Sequence, residues 1–126
     1  MKHHFIALAL PILFAACATP QKITTTDRDL NYIELRKNDE VELFFITNAS
    51  LGVHWECMNC DEVAIVKSVA QRYERIGDSN TVGSGTRLFW NFKAMEKGAD
   101  TLQFLYGRFD GSSDFLRSRE VIINVK

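Results

Sequence analysis

From Leu30 onward the apolar residues fall in short alternating runs, and no long stretch repeats them at helical spacing. Leu88, Trp90, Phe92 and Ala94 alternate with Phe89, Asn91 and Lys93, and Leu102, Phe104 and Tyr106 alternate with Thr101, Gln103 and Leu105. Val41, Leu43 and Phe45 share one side of the run 41–46, while Val53, Trp55 and Cys57 alternate with His54 and Glu56. A period of two sends successive side chains to opposite faces, which is the signature of a half-buried strand. Leu30–Leu35 reads as a first strand and Val121–Val125 as a closing one. Val63–Val66 is short and apolar, and Val69–Ile76 suits either a helical turn or an edge strand. Lys37–Asp39 and Glu96–Asp100 read as turns, and Gly77–Thr86 and Gly107–Ser113 as glycine-bearing loops. The sum is about seven short strands with regular turns, which points to an all-β, immunoglobulin-like β-sandwich and away from an α/β fold. Trp55 is expected to face inward as a large core residue.

The first 17 residues have a different character. Lys2 gives a positive start, residues 5–16 are apolar except for Pro11, and Ala15 and Ala16 precede Cys17. The run is too short to span a bilayer and has the order of a secretory signal. Its Ala-Ala-Cys end resembles a bacterial lipobox, with Phe14 where a Leu is usual. That pattern implies a signal peptide over 1–17, diacylglycerol on the Cys17 thiol, and a lipid-anchored protein of the cell envelope. Ala18, in place of the Asp that retains some such proteins at the inner membrane, leans toward the outer membrane, facing the periplasm or the exterior. The alternative is an ordinary signal peptide cut near Ala16 or Ala18, releasing a free protein. Residues 18–29, with Thr24, Thr25 and Thr26 in a row, read as a polar tether ahead of a single domain over 30–126.

A domain of roughly 100 residues holds one hydrophobic core. The chain carries 15 basic and 16 acidic residues; Lys2 leaves with the leader, so the mature chain is near −2. No basic block stands out, and nucleic-acid binding has no electrostatic support. Both prolines, Pro11 and Pro20, precede the domain, so its loops depend on glycine geometry, hydrogen bonds or crosslinks. His3 and His4 depart with the leader, leaving His54. With Cys17 lipidated, Cys57 and Cys60 form an even pair in an oxidising compartment, and a disulfide between them is expected. Closing so small a loop, it fixes a local turn more than it stabilises the whole. A redox C-x-x-C would need a βαβ setting, a haem site would need His where Asp61 stands, and a zinc site built from His54, Cys57, Cys60 and Asp61 lacks a second cysteine pair. No cofactor and no metal is expected.

Between two apolar runs lies Asn48-Ala49-Ser50-Leu51-Gly52-Val53, a loop by composition with an apolar residue in its middle. Leu51 either folds back on the domain or inserts into a partner. In a sandwich, loops after alternate strands collect at one end. The loops around 48–53, 83–86 and 107–111 are therefore expected to cluster and to serve recognition rather than catalysis. Ser50, Ser84 and His54 make no nucleophile–base–orienter set, since His54 points away from Val53 and Trp55 and no acid is placed beside it. The chain is not expected to be an enzyme.

Three motifs in order resemble the chagasin-type family of cysteine peptidase inhibitors. The family's Asn-Pro-Thr-Thr-Gly-aromatic-x-Trp appears as Asn48-Ala49-Ser50-Leu51-Gly52-Val53-His54-Trp55. Its Gly-x-Gly-Gly loop appears as Gly83-Ser84-Gly85-Thr86, followed by the apolar strand to Ala94. Its third signature appears as Gly98, Leu102–Tyr106, then Gly107-Arg108-Phe109-Asp110. The resemblance spans most of residues 30–126. It implies a monomeric, reversible, non-covalent inhibitor of papain-like cysteine peptidases, whose three loops enter the active-site cleft. The peptidase-binding residues would be Asn48, Ala49, Ser50, Leu51, Gly52, Val53, Gly83, Ser84, Gly85, Thr86, Arg108, Phe109 and Asp110. Leu51 stands where the family has a hydroxyl, Ala49 replaces a proline, and Phe109-Asp110 replace Pro-Trp. Without those prolines the loops have more freedom to lose on binding. The other reading is a non-inhibitory envelope binding module of the same fold, told apart by whether the loops converge into an apolar wedge.

Overall fold

The computed structural model describes residues 11, 22–24, 30–77, 85–112 and 114–126. Cys17, the leader apart from Pro11, and Gly83 and Ser84 lie outside the described residues. Eight strands are described: β1 (Lys22–Thr24), β2 (Tyr32–Leu35), β3 (Glu40–Thr47), β4 (His54–Cys57), β5 (Val66–Arg75), β6 (Thr86–Ala94), β7 (Gly98–Gly107) and β8 (Phe115–Val125). They form two four-stranded sheets, ordered β1-β3-β6-β5 and β2-β8-β7-β4. The expected all-β sandwich is what forms.

The alternating runs set which faces meet. Val41, Leu43 and Phe45 of β3, and Leu88, Trp90, Phe92 and Ala94 of β6, turn inward from one sheet. Leu102 and Phe104 of β7, with Val121, Ile123 and Val125 of β8, oppose them from the other. Phe45 lies at the centre, its ring 4.9 Å from Phe104 and 5.0 Å from Trp55. Such offset aromatic contacts add to the gain from area burial alone. Trp55 is half-buried and packs against this core from β4, with its indole N–H donating to the Ile46 carbonyl at 2.9 Å.

The structure departs from the expected elements in four places. Lys22–Thr24, within the stretch read as a tether, pair in parallel with Glu40–Glu42. For 69–76 the edge-strand reading holds over the helical turn, but the strand also takes in Val66–Ser68: residues 66–75 run antiparallel to β6, with a register shift between Ser68 and Ala70. Gly98, Ala99 and Asp100 belong to β7 rather than to a turn, because β8 supplies Val125, Asn124 and Ile123 as partners. β8 starts at Phe115, six residues before the run Val121–Val125.

The turn between β2 and β3 is where expected. Asn38 takes φ 73°, a conformation Asn tolerates, and its N–H donates to the Ala94 carbonyl. The buried Asp39 carboxylate accepts from the Arg36 N–H at 2.9 Å. This turn marks the base of the sandwich; β3 runs from it to the opposite pole, where the loops lie.

Candidate functional site

Three connections are rooted at that pole: 48–53 between β3 and β4, the segment ending at Gly85 between β5 and β6, and 108–114 between β7 and β8. The ladders force this. Thr47 opposes Thr86 across β3 and β6, and His54 opposes Gly107 across β4 and β7, so the roots of all three connections are neighbours.

The first loop is held from several sides. Ala49–Leu51 form a single 3-10 turn in which the Leu51 N–H donates to the Asn48 carbonyl at 3.2 Å. The Ser50 hydroxyl donates to Asn48 Oδ1 at 2.6 Å. The Asn48 N–H donates to the Tyr106 hydroxyl at 2.9 Å, which ties the loop's start to β7. Gly52 then takes φ 68°, a left-handed conformation strained for other residues. Val53 is buried and supports the loop from beneath, whereas Leu51 at the tip stays 55% exposed. Of the two fates open to Leu51, the fold leaves it outward.

The third loop touches the first. Arg108 Nη2 donates to the Leu51 carbonyl at 3.1 Å. Phe109 is half-buried, its ring 4.9 Å from His54 and 5.3 Å from Phe115. Asp110 is exposed and caps the loop by accepting from the Ser112 N–H at 3.0 Å. The Ser112 hydroxyl and N–H together hold the Asp110 carboxyl below the usual carboxylate range. Gly107 is required where β7 leaves for this loop: a Cβ there would collide with the Asp114 carbonyl oxygen and with Phe115 Cα at 2.8 Å.

For the second loop, the described part is its end. Gly85 lies beside Ile46 and the Thr47 carbonyl and accepts from the Ile76 N–H at 3.0 Å, and the half-buried Thr86 begins β6. Its expected contact residues Gly83 and Ser84 lie outside the described residues.

One expectation about His54 is corrected. Its Nε2 lies 2.9 Å from Glu56 Oε1, so an acid does stand beside it. Residues two apart on a strand share a face, and that spacing was readable in the sequence. The pair is exposed, and Ser50 is engaged with Asn48, so this acid orients His54 toward no described nucleophile. Cys57 and Cys60 are joined by a disulfide with Cα atoms 5.6 Å apart, at the far end of β4 from the loops. Among the described residues, no group of three or more His, Cys, Asp or Glu is placed to hold a metal ion. Tyr106, His54 and Phe115 are parts of the site that loop composition did not indicate; for Tyr106 the signal was a hydroxyl at the last inward position of an alternating run.

Residues 34–123 match the family described as chagasin family peptidase inhibitor I42. The chain belongs to the chagasin family of peptidase inhibitors. Membership makes it an inhibitor by kind and not an enzyme. Among curated proteins, none matches the sequence. Three solved structures share the chagasin-type fold. The cysteine protease inhibitor EhICP2 from Entamoeba histolytica is 19% identical, with TM-score 0.67, over 84% of this chain and 95% of its own. Amebosin is 18% identical, with TM-score 0.57, over 86% of this chain and 100% of its own. PbICP-C, solved in complex with falcipain-2, is 14% identical, with TM-score 0.54, over 84% of this chain and 99% of its own. At such identities these likenesses establish the fold alone.

Proposed function

We propose that this chagasin-family chain inhibits papain-like cysteine peptidases reversibly, by seating its loop pole in the active-site cleft. The observation that carries the reading is Leu51: an exposed apolar tip whose own carbonyl is riveted by Arg108 from the neighbouring loop. Preorganised in this way, the tip loses less freedom on docking. The backbone also favours resistance to cleavage. Gly52 at φ 68° turns the chain out of the extended path that a cleavable segment needs immediately after Leu51. The Cys57–Cys60 disulfide lies at the end of β4 away from the loops, so its sulfurs stand apart from the cleft-facing pole, which supports a non-covalent mode. Two likenesses support the target class: EhICP2 is named a cysteine protease inhibitor, and PbICP-C was solved in complex with falcipain-2. The remaining parts of the reading rest on the sequence. The chain acts as a monomer, and lipid on Cys17 anchors it to the cell envelope, at the outer membrane.

Titrating the chain without its leader against papain and related peptidases tests the proposal. Inhibition that survives long incubation with the chain intact is expected. No loss of peptidase activity at roughly tens of micromolar, weak for any inhibitor, would overturn it.

A further inference from the structure

The direction of β1 fixes where an anchor attaches. β1 runs parallel to β3, with Lys22 level with Glu40 and Thr24 level with Glu42. β3 climbs from the base to the loops, so the chain enters the domain at the base and already points upward. Cys17 precedes Lys22 by five residues, a reach of at most about 17 Å. From Glu40 to Thr47 the strand rises about 24 Å, so the thiol of Cys17 cannot reach beyond the loop pole. We infer that the base of the sandwich faces a lipid bilayer and that the inhibitory loops project away from it. This rests on the lipid-anchored reading above.

The surface chemistry agrees with that orientation. Every lysine after the leader is at the base. Lys37 is in the β2–β3 turn, Lys97 precedes β7, Lys126 follows β8, and Lys22, Lys67 and Lys93 stand at the base end of their ladders. Near the loops the cations are arginines, including Arg87, Arg108 and Arg117. Long lysine stems let an ammonium group meet lipid headgroups while the strand ends stay above them. Glu34, Glu40 and Glu96 offset much of that charge, so the acyl anchor rather than electrostatic attraction holds the base at the surface. The orientation leaves the cleft-filling pole open to peptidases free in the surrounding compartment, with the bilayer behind it.

The test uses the full, processed chain in phospholipid vesicles carrying a headgroup-attached quencher. A dye is placed on p-azidophenylalanine at Lys97, at the base, or at Asp110, at the loops. Strong quenching at 97 and little at 110 is expected, with vesicle-bound wild type inhibiting papain within about threefold of the same protein in detergent. Quenching at 110 equal to that at 97, or inhibition weakened more than about tenfold on vesicles, would overturn the orientation. The Cys17→Ala chain should remain in the aqueous phase. If wild type remains there too, the lipid premise falls and the orientation with it. If wild type binds vesicles but inhibits in neither form, the inhibitory reading fails alone, and the two dyes still decide the orientation.

Discussion

An apolar side chain left exposed at a loop tip has burial energy still to gain, and in the proposed complex the peptidase's cleft is where Leu51 would gain it. Completing its burial is worth on the order of 1 kcal/mol, and placing an unpaired carboxylate in the same spot costs several times that. Leu51→Asp is therefore expected to weaken inhibition by at least about a hundredfold. Its melting temperature should hardly move, because the tip contributes little to the fold; a loss of inhibition that merely followed unfolding would contradict the wedge. Asp110 offers a finer probe of the neighbouring loop. The Ser112 hydroxyl is the largest cause of its lowered pKa, followed by the Ser112 N–H. Ser112→Ala removes the first and keeps the second, so the carboxyl should titrate at higher pH than in wild type, though still below its ordinary value. A pH titration of the Asp110 side chain by NMR reads this directly. The group is fully exposed, so the shift reports loop geometry and not stability.

At the scale of elements, the sequence showed most clearly what has one wet face and one dry. β3, β6 and β7 alternate because one face meets the opposite sheet, and their cores were legible residue by residue. β5 was not, because its residues from Lys67 to Arg75 are all exposed, and an edge strand with no buried face prints no period. Gly98–Asp100 read as a turn from composition alone; only the distant β8 makes them strand. The short parallel pairing of β1 is likewise set by a partner far along the chain. At the loop pole, the apolar tip could be read from Leu51, but its fastening to Arg108 and Tyr106 depends on non-local contacts. Gly107→Ala forces β7 away from the Asp114–Phe115 backbone and should cost about 1–3 kcal/mol, seen as a lower denaturation midpoint. Replacing Cys57 and Cys60 together by Ala opens a loop of very few residues, whose closure is worth at most about 2 kcal/mol. That variant should melt earlier yet inhibit as wild type, because the disulfide lies at the end of β4 away from the loops.

The two sheets are joined by more than apolar contact, and Arg119 is where that can be measured. It lies on β8, 9% exposed, with Nη1 donating to the Phe44 carbonyl at 2.8 Å and Nη2 to the Leu30 carbonyl at 2.9 Å. Phe44 is on β3, in the other sheet, beyond the three residues that β1 pairs. The guanidinium thus takes up a strand carbonyl beyond the described pairing of β1, and it stacks 4.9 Å from the Phe45 ring at the centre of the core. One cation therefore links the chain's entry into β2, the edge of one sheet and the middle of the other. Arg119→Met keeps the apolar stem but deprives both carbonyls of their donor, and each unsatisfied group costs about 1–3 kcal/mol. Water reaching the two carbonyls would meet part of that cost, so a loss of about 2–4 kcal/mol is expected in urea unfolding. The loops are fastened by bonds of their own, Asn48 to Tyr106 and Arg108 to Leu51, so native Arg119→Met protein should still inhibit when assayed well below its midpoint. Unchanged stability would mean that the sheets are held by their apolar faces alone, and that water serves the Phe44 and Leu30 carbonyls as well as Arg119 does.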